Sequence, residues 1–202
     1  MIPLSRRPGR WGLFRIAPAA HLRRALPVLL CLVLAAPAAA LDTFYLVRHA
    51  EKVDAWPADR DLDAFRPLSP AGVARAEALA DRLKDAGIAA AYSSRTTRTL
   101  ATAMPLVNRA HIPVTADDAT TKPDQMASFL GNLREKHAHD RAVLIVGHAN
   151  TLPELLVKLG ATPGCYGRIG IIKKTDGLEI EGYEGLWKVD LKKQGCAAIT
   201  RE

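Results

Sequence analysis

Aromatic side chains are scarce: Phe, Tyr and Trp supply only 5% of the 202 residues, so a folded core has to rest on Leu, Val, Ile and Ala. Cysteine is rarer still, with Cys31, Cys165 and Cys196 the only three. No G-x-x-x-x-G-K-S/T loop, no G-x-S-x-G elbow and no H-E-x-x-H pair occurs, which argues against the commonest nucleotide-cradling, serine-hydrolase and zinc-peptidase chemistries. Glu135, His137, His139 and Asp140 crowd together but match no strong zinc spacing, and they fall where a helix should end. Neither a metal nor another cofactor is expected. Internal repeats and low-complexity tracts are absent after residue 41.

Acidic residues are missing altogether from positions 1–40, which hold Arg6, Arg7, Arg10, Arg15, Arg23 and Arg24. Six of the seven formal positive charges therefore lie in this segment, and the remaining body is close to neutral. A nucleic-acid partner is not expected, because the basic excess lies outside the body that should fold. Arg23-Arg24, the apolar run Ala25–Ala36 and the small residues Ala38-Ala39-Ala40 read as a secretory signal cleaved before Leu41. The apolar run is short for a membrane span, although an uncleaved anchor is the rival reading. The expected organisation is thus a signal peptide over 1–40 and one domain over 41–202, periplasmic or secreted, with no stable span after cleavage. Bulky Leu30 before Cys31 argues against lipid attachment there. In an oxidising compartment Cys165 and Cys196 would either pair or remain two separate buried thiols; their separation in sequence does not decide between these.

Through the body, apolar runs alternate with helical patterns. Thr43–Val47, Ile88–Tyr92, Pro113–Thr115 and Ala142–Val146 read as strands. Ser69–Ala86 reads as a helix capped by Ser69, with Pro70 in its first turn, Gly87 at its stop, and an apolar face of Val73, Ala76, Leu79, Ala80 and Leu83. Helices are also expected over Thr97–Val107, where Pro105 should bend or end the segment, and over Asp124–His137 and Thr151–Leu159. Further strands are expected at Arg168–Lys173 and Leu186–Leu191. This alternation predicts an α/β protein, a three-layer α/β/α sandwich on a mainly parallel central sheet.

Ligands in such sheets bind beyond the carboxyl ends of the strands. Those ends carry the unusual residues: Arg48-His49 after the first strand, Ser93-Ser94 and then Arg98 after the second, Gly147-His148 after the strand at 142–146. Guanidinium forks suit phosphate oxygens. A neutral imidazole is a competent nucleophile, and a second one can donate to the same anion when protonated. Backbone N–H groups at the helix start after Ser94 would add to the site. Together they suit phosphoryl transfer, which rests mainly on positioning and charge stabilisation.

Leu46-Val47-Arg48-His49-Ala50-Glu51-Lys52 resembles the RHG/RHAE signature of the histidine phosphatase (phosphoglycerate-mutase-like) superfamily. Leu68-Ser69-Pro70-Ala71-Gly72, the Ser94/Arg98/Thr102-Ala103 series and Val146–Thr151 resemble its later motifs, in family order. The resemblance implies a phosphohistidine intermediate on His49, with Arg48, Arg98 and His148 holding phosphate oxygens and water releasing phosphate. Arg95 competes with Arg98, but the spacing to Thr102-Ala103 favours Arg98. For the general acid, Asp117 or Asp118 stands narrowly ahead of Glu51 and Glu154. Glu51, Asn150 and Thr151 are candidate substrate contacts, Asn150 and Thr151 equally candidate helix caps. The expected activity is hydrolysis of a phosphomonoester, the partner a phosphorylated small molecule or envelope phosphoester. A phosphomutase is the rival enzyme, disfavoured because Ala50-Glu51-Lys52-Val53-Asp54 departs from the mutases' usual continuation and the body is short. A non-catalytic phospholigand-binding envelope protein is the rival from another class.

Overall fold

The computed structural model describes residues 41–202. The expected signal segment, 1–40, and with it Cys31, lies outside the described residues. Strand β1 (Thr43–Arg48) is followed by a short helix α1 (Arg60–Asp63), then α2 (Pro70–Leu83), β2 (Ile88–Ser93), α3 (Thr97–Ala110) and β3 (Val114–Ala116). Helix α4 (Met126–Lys136), β4 (Ala142–Gly147) and α5 (Thr151–Lys158) come next. The chain closes with α6 (Tyr166–Ile169), the hairpin β5 (Ile171–Lys174) and β6 (Gly177–Ile180), β7 (Leu186–Asp190) and β8 (Ile199–Arg201).

Six strands form the central sheet in the order β3-β2-β4-β1-β7-β8. The first four in that order run parallel; β7 adds antiparallel to β1, and β8 pairs antiparallel with β7 at the edge. Successive residues of β1 point to opposite faces, as strand geometry requires. Phe44 and Leu46 enter a core shared with Met126, Phe129, Leu130, Leu152 and Leu155, while Tyr45 and Val47 enter one shared with Leu79, Ala80, Ala103 and Leu106. Helices α2 and α3 therefore cover one face, α4 and α5 the other, which is the expected three-layer α/β arrangement. β4 is buried at all six positions, so its unbroken apolar run needs no polar alternation. No described helix is long and apolar enough to cross a membrane.

Three expectations are corrected. Val73 is not on the apolar face of α2; it is 51% exposed, and the buried positions are Gly72, Ala76, Leu79, Ala80 and Leu83. The helix is rotated so that Gly72, not Val73, meets the chain after β1. Pro105 does not end α3, which continues to Ala110 because Leu106 and Val107 are buried against the sheet and their packing outweighs the lost backbone hydrogen bond. Arg168 and Ile169 are helical rather than extended: Gly170, at φ +75°, turns the chain between α6 and β5. The two remaining cysteines are joined, Cys165 to Cys196, with Cα atoms 5.9 Å apart. This ties α6 to the segment leading into β8 and closes a loop, spanning a sequence separation of 31, that chain entropy values at roughly 3.7 kcal/mol.

Gly72 shows how backbone approach builds the site. The N–H of Ser69 donates to the Glu51 carbonyl oxygen (2.8 Å), and a Cβ at position 72 would lie 2.0 Å from that same oxygen. Ser69 caps the helix through its side chain, accepting from the Gly72 N–H (3.1 Å). So the Leu-Ser-x-x-Gly turn docks directly onto the residues that follow His49. Alanine in a helix interior ordinarily gains about 1 kcal/mol over glycine. At position 131, with nothing within 4 Å of an added Cβ, that gain should be seen. At 72 the clash with backbone should reverse it to a loss of about 1–3 kcal/mol. Thermal unfolding of Gly72→Ala beside Gly131→Ala checks this; equal shifts for both would refute the close contact.

Candidate active site

The register of the sheet brings the three strand ends level. Arg48 lies opposite Gly147 across the β1–β4 pair, and Ser93 lies opposite Val146 across β2–β4. The next residues, His49, His148 and Ser94, thus emerge side by side at the carboxyl edge. The His49 N–H donates to the Gly147 carbonyl (2.9 Å), extending the pairing by one residue. The two imidazole rings stand edge to face with centroids 5.3 Å apart.

His49 is buried, and its Nδ1 lies 2.8 Å from the Ala50 carbonyl oxygen. A carbonyl can only accept, so Nδ1 carries the proton and the neutral ring keeps its lone pair on Nε2. Ala50 is itself held by its N–H, which donates to the Thr102 hydroxyl (2.9 Å); that hydroxyl donates to the Arg98 carbonyl (2.7 Å). His148 is fixed from two sides. Its N–H donates to the Thr151 hydroxyl (3.0 Å), and its Nε2 meets the Ser94 hydroxyl at 2.8 Å. With Ser94 as donor, Nδ1 of His148 carries the N–H.

Both arginines are anchored by their outer nitrogens. Arg98, 8% exposed, donates from one terminal nitrogen to the Asp63 carbonyl (2.6 Å), and another lies 3.1 Å from the Asp63 carboxylate. Arg48 donates from a terminal nitrogen to the Gly182 carbonyl (2.9 Å) and stacks over the Tyr183 ring at 4.1 Å. Among the described residues, the buried side-chain nitrogens and oxygens without a hydrogen-bond partner are the Nε atoms of these two arginines. Buried N–H donors of a charged group are costly to leave unpaired, so this pair is what an oxyanion would satisfy.

Electrostatics act in the same sense. Burial, together with His148 and the two arginines, lowers the His49 pKa from 6.5 to about 3, against the Ala50 hydrogen bond, which raises it. Burial, then Arg98 and Arg48, lowers that of His148 to about 4, with Asp63 pulling the other way. Both rings are neutral at pH 7.

The carboxylates fall elsewhere. Glu51 is gripped by Arg75, whose nitrogens lie 2.6–2.9 Å from its two oxygens; that bond holds its pKa below the usual range. Asp63 would be raised by burial, but Arg98, Lys52 and Arg66 outweigh this and leave it lowered. Asp117 caps the 3₁₀ turn Asp118–Thr121 by accepting from the Ala119 N–H (2.9 Å). Asp118 pairs with Arg95 (3.0 Å), which is 71% exposed in its side chain, in contrast to buried Arg98. No contact joins Asp117 or Asp118 to either histidine. Glu154 is half-buried in the first turn of α5. Asn150 is exposed and makes no capping bond, and Thr151 is engaged with the His148 backbone. Thr102 is a motif residue to which the sequence assigns no role of its own, and Asp63, Arg75 and Tyr183 carry no sequence signal for the site. Asp63 and Arg75 are charged residues among many of their kind, and Tyr183 lies in a turn-rich stretch with no motif of its own.

Residues 44–121 match the family model of the histidine phosphatase superfamily (branch 1). The match begins at β1 and carries the first histidine, the helix-opening turn and Arg98. Among solved structures, a candidate phosphohistidine phosphatase SixA from Agrobacterium tumefaciens is similar at 23% identity and TM-score 0.58, over 79% of this chain and 94% of that one. A protein histidine phosphatase SixA complexed with tungstate is similar at 16% identity and TM-score 0.56, over 79% and 94%. The alpha-ribazole phosphatase from Shigella flexneri is similar at 17% identity and TM-score 0.52, over 70% and 95%. No curated protein matched the chain. The resemblance read from the motifs is met by the family model, and the fold is the mainly parallel, phosphoglycerate-mutase-like α/β fold of these neighbours.

The neutral rings set a pH expectation. Between their folded values and 6.5 the unfolded chain binds more protons than the native one, so stability falls as pH drops from about 6.5 towards 4. In the ligand-free protein, the imidazole NMR signals of His49 and His148 should show no titration from pH 5.5 to 8. An inflection near 6.5 for either ring would contradict the geometry.

Proposed function

We propose that the chain is a phosphatase that removes phosphoryl groups through a phosphohistidine on His49. The observation that carries this reading is the Nε2 lone pair of His49, set by the Nδ1 bond to Ala50, beside two buried guanidinium Nε–H donors that have no protein partner. Support comes from the family-model match and from neighbours that are named phosphatases.

The substrate phosphate is held by Arg48, Arg98 and the Nδ1–H of His148. His49 Nε2 attacks phosphorus in line, and the leaving group departs with the electron pair of its bond to phosphorus. The arginines balance charge on the equatorial oxygens through the transition state. Water then attacks the phosphohistidine from the vacated side. Phosphate leaves and the Nε2 lone pair is restored. Binding of a dianion also raises the proton affinity of His148, so its donor role strengthens as the complex forms.

A phosphomonoester with an alcohol leaving group needs a proton donor. Glu51 and Asp63, both held charged by basic neighbours, are poorly suited to that task as they stand. This favours, as a second reading, substrates whose leaving group departs without a strong acid, such as the phosphoramidate of a phosphorylated histidine. For the compartment, the signal-like segment and the Cys165–Cys196 bond support an exported enzyme meeting envelope or extracellular phosphorylated compounds. The near-neutral body gives no support to a nucleic-acid substrate.

His49→Ala should lower turnover of p-nitrophenyl phosphate by several orders of magnitude. Acid-labile, base-stable phosphate should be trapped on His49 of the native enzyme. Activity surviving the substitution, or label on serine, would overturn the mechanism. Isomerisation of a phosphoglycerate without free phosphate would point to the mutase, and phosphate binding without turnover to the binding protein.

A further inference from the structure

The segment Glu181–Gly185, between β6 and β7, has no counterpart in the motifs that define the site, yet it crosses the carboxyl edge of the sheet. Its course is fixed at both ends. Ile180 donates its N–H to the Ala149 carbonyl (2.9 Å), one residue beyond His148, which pins the hairpin against the loop after β4. Leu186 then pairs with Val47 as β7 runs antiparallel to β1. The residues between must therefore pass over Arg48 and His49.

The geometry points to Tyr183 as a positioning residue that acts through Arg48 to set the affinity of the site for its phosphoryl group; this rests on the reading of the site given above. Three contacts carry it. The Tyr183 ring lies under the Arg48 guanidinium at 4.1 Å, a cation–π distance. The neighbouring Gly182 carbonyl accepts from an Arg48 terminal nitrogen at 2.9 Å. The same ring stands 5.9 Å from that of His49, centroid to centroid. The guanidinium is thus fixed by its plane and by one terminal N–H, and its Nε–H is left without a partner. An arginine has several rotatable bonds, and one held only at its outer end would lose entropy on each binding event. The aromatic support removes that loss in advance and still leaves the charge uncompensated. A carboxylate in the same place would neutralise it.

The loop is itself buttressed. The Tyr183 N–H donates to the Glu184 carboxylate (3.0 Å), and Glu184 approaches Arg75 (3.6 Å), which holds Glu51. Tyr183 is only half-buried, so the fold does not depend on it as it depends on fully buried Trp187 four residues later.

The test compares native protein, Tyr183→Leu, Tyr183→Phe, Arg48→Ala and the double variant Arg48→Ala/Tyr183→Leu. KM for p-nitrophenyl phosphate and the inhibition constant of inorganic phosphate are measured for each, with the melting temperature as a control. Tyr183→Leu should weaken phosphate roughly tenfold with little change in melting temperature. Tyr183→Phe, which keeps the ring, should recover most of that loss. In the Arg48→Ala background Tyr183→Leu should have no further effect, because the two residues act as one unit. The Arg48 Nε–H resonance should also move downfield in Tyr183→Leu as the ring current is lost, a readout independent of turnover. Unchanged phosphate affinity in Tyr183→Leu, or the same tenfold loss persisting without Arg48, would overturn the inference. If instead the native protein neither turns over the ester nor binds phosphate while the resonance shift is seen, the phosphatase reading fails and the Tyr183–Arg48 contact stands.

Discussion

Two buried guanidinium Nε–H donors, one on Arg48 and one on Arg98, left without a protein partner, are the constraint on which the rest of the site depends. Burying donors of a charged group unpaired carries a desolvation cost. The fold meets this by spending the outer nitrogens of each arginine on the protein: Arg98 on Asp63 and Arg48 on the Gly182 carbonyl. The inner Nε–H groups are left over. Burial, together with the same positive field, keeps both imidazoles unprotonated, so under the proposed mechanism the charge that would draw in an anion would also leave the His49 lone pair free. In that reading one arrangement of charges serves both binding and reactivity.

The scaffold supplies this from the sheet register. Because β4 lies between β1 and β2, the residues following each strand meet at one edge although they are far apart in the chain. Around them runs a set of short polar bonds: Thr102 to Ala50, Ser94 and Thr151 to His148. Thr102 holds the backbone next to His49, Thr151 holds the His148 backbone, and Ser94 holds the His148 ring. Gly72 belongs to this group too, since its missing side chain lets α2 close on the Glu51 carbonyl.

The strands and the gathering of Arg48, His49, Arg98 and His148 were legible because apolar runs and the residues at their ends are local signals. Cap and turn chemistry likewise locates α2 but not its rotation: Val73 fits a helical period, and the packing of Gly72 against Glu51 turns it to solvent. Pro105 misleads because the penalty of a proline is local while the burial that outweighs it is tertiary. The pairing of Cys165 with Cys196 could not be read, since it depends on where α6 and β8 come to rest. Asp63 and Tyr183 were invisible for the same reason. Each reaches its arginine across more than thirty residues of chain, Asp63 from the end of the one-turn helix α1 and Tyr183 from a loop, neither with a periodic pattern of its own.

The central claim is that His49 Nε2 and the Nε–H groups of Arg48 and Arg98 converge on one tetrahedral oxyanion. A crystal structure of the protein soaked with tungstate tests it most directly. The account predicts a single oxyanion within about 3 Å of both arginine Nε atoms, with its central atom in line with His49 Nε2 and one oxygen on His148 Nδ1. Tungstate bound elsewhere, with either Nε–H still unpaired, would contradict it.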